Sequence, residues 1–469
     1  MGEALHAEIL LSAFAIIVCM VFNHFLRKYN FVALPESVLE VIIGAICATI
    51  WFYIPVMTSL DFSYEFFFSV LLPFIIFESG FSMHRQSFFR NAGSILTLAI
   101  IGTFMSSLII SILVHVLSSL LSPVKYNFWD SLILGSILSS TDPVATLSVF
   151  DKVNVDTTVK SLVFGESVLN DAVSIIQLKT LGSLYSDEFT AKTFFVGCLK
   201  FSVNLVGTIL IGFLMAAFIS FLLKRTTLGA NRTYEIIFIF LAAYASYFLS
   251  EIASLSGIVA IFCYGINTRH YTYHTLSVGS QHVLLMIFEV MKEFCEVIVF
   301  VLLGLTILQE HRSYNMHMII ITISVTLIAR AIHIVILSFF MNIRRSRKIT
   351  AGIQLVLWNA GLRGAVAYGL AVSNMVPNIP NKLVLITTVH ACVLFTILLH
   401  GMLTLPIVKL TNVLKRDDET YTSEMSKMKI YHYWHVIDKN YITPFISNPR
   451  GYSDIETTSL DITLPDEAN

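Results

Sequence analysis

Apolar runs long enough to cross a bilayer recur about thirteen times in this chain, each near the ~20 residues that span a ~30 Å hydrocarbon core. They fall near residues 8–26, 34–54, 66–82, 93–121, 128–150, 158–181, 194–223, 232–250, 252–268, 283–308, 316–341, 351–374 and 383–411. Backbone polar groups in hydrocarbon must be satisfied internally, and runs of this length do so as helices. The predicted fold class is therefore an all-α polytopic membrane protein. With 56% hydrophobic and 13% charged residues the chain is too apolar for a soluble globular fold, and a net charge of -1 argues against a nucleic-acid partner. Glu3 and Glu8, with no Lys or Arg ahead of the first run, make that run a span and not a cleaved signal. The six cysteines sit inside apolar runs without metal-ligand spacing and read as small core residues; no cofactor is expected.

Basic residues test the division into spans. About 14 Lys and Arg follow odd-numbered spans, Arg27, Lys28, Lys224 and Arg225 among them, against about four (Lys125, Lys192, Arg312 and Lys382) after even-numbered ones. The positive-inside rule then places the odd loops and the C-terminus in the cytosol and the N-terminus outside or in a lumen. Glycosylation sequon Asn231-Arg232-Thr233 falls on the cytosolic side and should be unused. Residues 412–469 form a polar tail that carries a charged start at Lys415–Glu419, an aromatic patch at Tyr431–His435 and an acidic end.

Ionisable residues inside the spans are the functional signal, because a charge at bilayer depth costs at least about 2.5–3.5 kcal/mol. The stretch FGESVLND, residues 164–171, puts Glu166, Asn170 and Asp171 inside the sixth run. At ~100° per residue Asn170 lies within ~40° of Glu166, whereas Asp171 lies ~140° from it and near Ser167. The two carboxylates therefore face different neighbours.

The preceding run contains SSTDPVATL, residues 139–147. Pro143 removes a backbone donor, freeing a carbonyl beside the oxygens of Ser140, Thr141 and Asp142. A discontinuous helix is built in this way, and transporters bind cations at such breaks. Counted from a loop near residue 154, the depths of Asp142 and Asp171 differ by only ~8 Å. A matching interruption, WNAGLRGAV at residues 358–366, sets Arg363 between Gly361 and Gly364. The glycines permit a break, and the arginine can neutralise half-helix carbonyl ends. The interruptions fall in the fifth of the first six spans and the fifth of the last six. With an odd linking span, 194–223, between the halves, this is the pattern of an inverted-repeat transporter with two discontinuous crossing helices.

Arg330, midway along span 316–341, needs an anionic partner, and Glu166 is the leading candidate. Glu296 is the competitor, although Lys292 four residues earlier can satisfy it locally. His24, His115, His333, His390 and His400 lie on apolar faces without ligand spacing and read as packed residues. Protease and nucleotide-binding motifs of the usual kinds are missing from the sequence, which argues against an enzyme.

Taken together, the strings LPES (34–37), LPFIIFESGF (72–81), STDPVATLSVF (140–150), LVFGESVLNDAVSI (162–175), IAR (328–330) and GLRGAV (361–366) closely resemble the sodium/proton exchangers of the monovalent cation/proton antiporter superfamily. RHYTYHTLS (269–277) and NYITPFISNPR (440–450) look most like its organellar, Golgi-type branch. Thr141 stands where many relatives have a small apolar residue, and Gln177 and Lys179 where they continue apolar.

The resemblance implies a homodimeric antiporter of thirteen helices. Dimerisation helices would occupy 8–82 and 232–308, core helices 93–181 and 316–411, and the linking helix 194–223. Asp171 would carry the ion and the proton, with Asn170, Asp142, Thr141 and Ser167 around it. Glu166 and Arg330 would form a supporting pair, and Pro143, Gly361, Arg363 and Gly364 would shape the crossing. One buried carboxylate that holds either a proton or a cation couples the two ions, and the neutral Asn170 implies electroneutral exchange of Na+ (or K+) for H+. The implied role is pH and cation homeostasis in a Golgi or endosomal membrane, with the plasma membrane as second choice. A cation channel and an intramembrane enzyme using the buried aspartates are the alternatives.

Overall fold

A computed structural model describes residues 2–29, 34–52, 64–83, 85–153, 155–185, 191–226, 231–308, 313–343, 348–413 and 442–446. The charged start of the tail, Tyr431–His435 and the acidic end lie outside the described residues. Every regular element among the described residues is helical: α1 (Gly2–Lys28), α2 (Glu36–Phe52), α3 (Tyr64–Phe81), α4 (Asn91–Leu121), α5 (Phe128–Leu138), α6 (Val144–Val153), α7 (Thr157–Gly182) and α8 (Ala191–Arg225). There follow α9 (Arg232–Ile252), α10 (Gly257–Asn267), α11 (Val278–Leu305), α12 (Met316–Asn342), α13 (Ala351–Asn359), α14 (Ala365–Val372), α15 (Lys382–Thr411) and the short α16 (Thr443–Ile446). Six of the described helices are long and apolar enough to cross a membrane.

Local chemistry sets the helix ends. Asn127 opens α5 with a capping box: its side chain accepts from the Asp130 N–H at 2.7 Å, and Asp130 answers the Asn127 N–H. Asp156 caps α7 by accepting from Thr158 N–H at 2.7 Å, and Asn315 caps α12 through the Met318 N–H at 3.1 Å. Asn231 of the sequon caps α9 through the Thr233 N–H. The weakly punctuated division between the eighth and ninth runs falls where Ser254 takes the left-handed conformation, φ 59°.

Two expected spans are divided. The run 128–150 breaks into α5 and α6 around Ser139–Pro143, and 351–374 into α13 and α14 around Ala360–Gly364. Long helices such as α12 bury one side and turn Ile320, Phe339 and Phe340 outward. In water that face would be an aggregation liability; against lipid it is matched.

The chain forms two compact units. One comprises residues 1–72, 84–203 and 293–417, and it contains both broken helices together with α4, α7, α12 and α15. There α4 and α5 pack closely, because Gly135 lies against Ser111 and the Ser107 carbonyl, where a Cβ has no room. The other unit comprises 73–83, 204–292 and 418–469. Its core packs the rings of Phe77 and Phe240, both tilted, against Phe288, and Lys292 pairs with Glu78 at 2.9 Å. On the C-terminal end of α8, Lys224 donates to the Pro444 carbonyl at 2.6 Å and Ser220 to that of Ile446 at 3.2 Å, which fixes α16.

Candidate functional site

The two breaks meet each other. The Asp142 N–H donates to the Leu362 carbonyl at 2.8 Å, one bond between the non-helical residues of two interrupted helices. Arg363, with no exposed surface, extends Nη1 to the Ser140 carbonyl at 3.0 Å. A cation thus sits at the C-terminal end of α5, where unpaired carbonyls concentrate negative potential. The Arg363 N–H is taken by Thr396 Oγ1 of α15 at 3.0 Å.

Glycine serves this junction by size and not by handedness. No described glycine has a positive φ, and Gly364 is extended at φ -119°, a conformation open to any residue. A Cβ on Gly364 would run into Cβ and Oδ2 of Asp142, and one on Gly361 into the Arg330 side chain. The two glycines therefore let one broken helix lie directly against its neighbours. Pro143 precedes α6 at its first turn, where a missing N–H is harmless. Asp142 caps the same helix, its Oδ1 accepting from the Val144 N–H at 2.9 Å.

Against this junction lies the polar side of α7. Asp171, 8% exposed, accepts from the Ser140 hydroxyl at 2.5 Å. Asn170 and Thr141 hold each other twice: Asn170 Nδ2 donates to Thr141 Oγ1 at 2.5 Å and the Thr141 N–H to Asn170 Oδ1 at 3.3 Å. Ser167 reaches Thr141 Oγ1 at 3.2 Å. The oxygens of Asp171, Asp142, Ser140, Thr141, Ser167 and Asn170 are thus gathered at one break. They form a hard-oxygen donor set of the kind that suits alkali and alkaline-earth cations.

Glu166, on the same helix, faces elsewhere. It pairs with Arg330 of α12 through Nη1 and through Nη2, the latter at 3.2 Å. Arg330 also donates to the Leu357 carbonyl at 2.9 Å, at the end of α13, and to His333 Nε2 at 3.3 Å. Because His333 Nδ1 lies 2.9 Å from the Ala329 carbonyl, its proton is on Nδ1 and Nε2 is the acceptor.

Several polar partners have no clear signature in the sequence. Ser174 meets Ser139 at 2.9 Å, and Gln177 of α7 donates to Ser107 of α4 at 2.8 Å. Asn359 donates to Thr404 at 2.9 Å, and the Asn359 carbonyl meets His400 Nδ1 at 3.0 Å. A buried hydroxyl in an apolar helix usually bonds its own i-4 carbonyl. A tertiary role for Ser174 or Thr396 is therefore invisible without the neighbouring helix. Ser140 carried a signal, its place beside Thr141 and Asp142 in the hydroxyl run before Pro143.

Two interrupted helices stitched break to break, with a buried carboxylate at the junction, define a membrane transporter of the discontinuous-helix class. A family model described as "Sodium/hydrogen exchanger, transmembrane" matches residues 10–410. The chain is 35% identical to sodium/hydrogen exchanger 8 of Homo sapiens over 415 residues, covering 86% of this chain and 71% of the relative. It is 32% identical to sodium/hydrogen exchanger 5 of Arabidopsis thaliana over 499 residues, covering 96% and 95%. The fold is similar to that of the sodium proton antiporter MjNhaP1 from Methanocaldococcus jannaschii, with a TM-score of 0.64 at 17% identity over 87% of this chain and 97% of that one. The chain belongs to the sodium/hydrogen exchanger family, a family of multi-pass integral membrane transporters.

Proposed function

We propose that this protein exchanges sodium for protons across a membrane, with Asp171 as the group that both ions share. The observation that carries the reading is the Asp171 carboxylate placed at the meeting of the two helix breaks, hydrogen-bonded by Ser140 and within electrostatic reach of Asp142 and Arg363. A carboxyl kept from water favours its protonated form, and a bound cation favours the ionised one. Occupancy by one ion therefore expels the other, and a site open to one side at a time turns that competition into coupled exchange. Asp142, Asn170, Thr141 and Ser167 complete the oxygen set, with Arg363 balancing the half-helix end. Glu166 and Arg330 hold the scaffold through each other.

Because Asn170 beside Asp171 is neutral, one cation exchanges for one proton and no net charge moves. Potassium is the second candidate cation. The chain crosses the membrane thirteen times and leaves its C-terminus in the cytosol, which the distribution of basic residues supports. Core helices 93–181 and 316–411 rock against dimerisation helices 8–82 and 232–308 of a homodimer. The strings at 269–277 and 440–450, which resemble the organellar branch of the family, support a membrane of the Golgi or endosomal system.

The test is proton flux in proteoliposomes driven by Na+, K+ or Li+ gradients, with the membrane potential clamped at several values. Flux that follows the Na+ gradient and ignores voltage is expected. Current that scales with voltage would identify a channel or an electrogenic carrier instead.

A further inference from the structure

Among the described residues, Ser140 is the one that touches both charged partners of the junction. Its carbonyl is taken by Arg363 Nη1 at 3.0 Å, and its hydroxyl donates to Asp171 Oδ1 at 2.5 Å. The hydroxyl is buried just past the end of α5, and the i-4 carbonyl that usually occupies a serine, that of Ser136, is taken instead by Ser139 Oγ at 2.7 Å. Neighbouring hydroxyls are engaged elsewhere: Thr141 with Asn170 and Ser167, and Ser139 with Ser174 and the Ser136 carbonyl. Ser140 Oγ is thus the hydroxyl committed to the carboxylate itself. A cation on Asp171 Oδ1 lies within reach of that oxygen and competes with its proton for the carboxylate.

We propose that the Ser140 hydroxyl is a specificity-determining group of the exchange site. It donates to Asp171 when the carboxylate is empty, and rotates to offer its oxygen when a small alkali cation binds. The inference rests on the reading of Asp171 as the shared site. A hydroxyl is a rotor with one donor and two lone pairs, so a single torsion converts it from donor to ligand. The Ser140 backbone does not follow, because Arg363 holds its carbonyl. The switch is therefore local, and the ring of oxygens around the cation keeps its size. Selectivity among alkali cations depends on the number and field strength of coordinating oxygens. A short, fixed hydroxyl contact favours Na+ and Li+ over the larger K+.

The experiment compares Ser140→Ala and Ser140→Thr with the unmodified chain in proteoliposomes. It measures apparent KM and maximal rate for Na+, Li+ and K+, together with thermal stabilisation by NaCl in detergent. Ser140→Ala is expected to raise the Na+ KM about threefold to tenfold, the scale of one hydrogen-bonding group. The maximal rate should change less than about twofold, and the Na+ over K+ preference should fall in parallel with the Na+ affinity. Ser140→Thr, which restores the hydroxyl, should recover both. An unchanged KM and ion preference in Ser140→Ala overturns the proposal, and so does a Ser140→Thr protein as impaired as the alanine, which would mark a packing role. Loss of exchange in Ser140→Ala with undiminished stabilisation by NaCl also overturns it. Failure of the underlying reading looks different, since the unmodified chain would then show no Na+-driven proton flux at all.

Discussion

Glu166 and Arg330 lie 164 positions apart in sequence and form a bidentate ion pair in which both side chains are almost fully buried. Arg330 spends its remaining contacts on the Leu357 carbonyl and His333, so the pair ties α7 and α12 to the end of α13. This turns Glu166 away from Asp171, although the two acidic residues are five positions apart on one helix.

Removing one partner of a buried pair leaves the other charge without compensation, at a cost of about 3–5 kcal/mol. Glu166→Gln should therefore lower thermal stability markedly in detergent, and residual folded protein should still exchange ions. Arg330→Lys should lower thermal stability as well, because an ammonium cannot reproduce the fork. Normal melting combined with lost transport would make Glu166 an ion ligand.

Gly364 is a second pressure point. Its missing Cβ is the space that Asp142 occupies. Gly364→Ala must push the two breaks apart or move the Asp142 carboxylate, with overpacking strain of about 1–3 kcal/mol. Na+-driven flux should fall by an order of magnitude or more, and an alanine variant with full flux would show that the close approach is dispensable.

Asp142 does two things that substitution can separate. Asparagine keeps an oxygen for the Val144 N–H, whereas alanine loses the cap and about 1 kcal/mol with it. Melting of Asp142→Asn should stay near that of the unmodified chain while Asp142→Ala melts lower. In both variants the Na+ KM should rise, since both remove the second carboxylate. Equal melting of the two would mean that the cap contributes nothing.

Much of this arrangement was legible in the chain. Charged and amide residues inside apolar runs have few reasons to exist, so Glu166, Asn170, Asp171, Asp142, Arg330 and Arg363 stood out against a plain background. Helical angles alone separated Glu166 from Asp171, and Pro143 marked one break. The glycines marked the other, although sequence suggested backbone freedom and the structure assigns them to close approach. Less visible were pairings between helices: Ser174 with Ser139, Gln177 with Ser107, and Thr396 with the Arg363 backbone. Each is a small or neutral polar residue whose local sequence satisfies it equally well, and only the neighbouring helix reveals its partner.

If protons and sodium compete for one carboxylate, Asp171→Asn removes the exchange and leaves the fold. Asparagine preserves the shape and can still accept from Ser140, so the variant should fold and melt like the unmodified protein. In proteoliposomes with an imposed Na+ gradient, its proton flux should fall to that of protein-free vesicles. Na+-driven proton flux retained in a correctly folded Asp171→Asn protein would show that the two ions do not share Asp171.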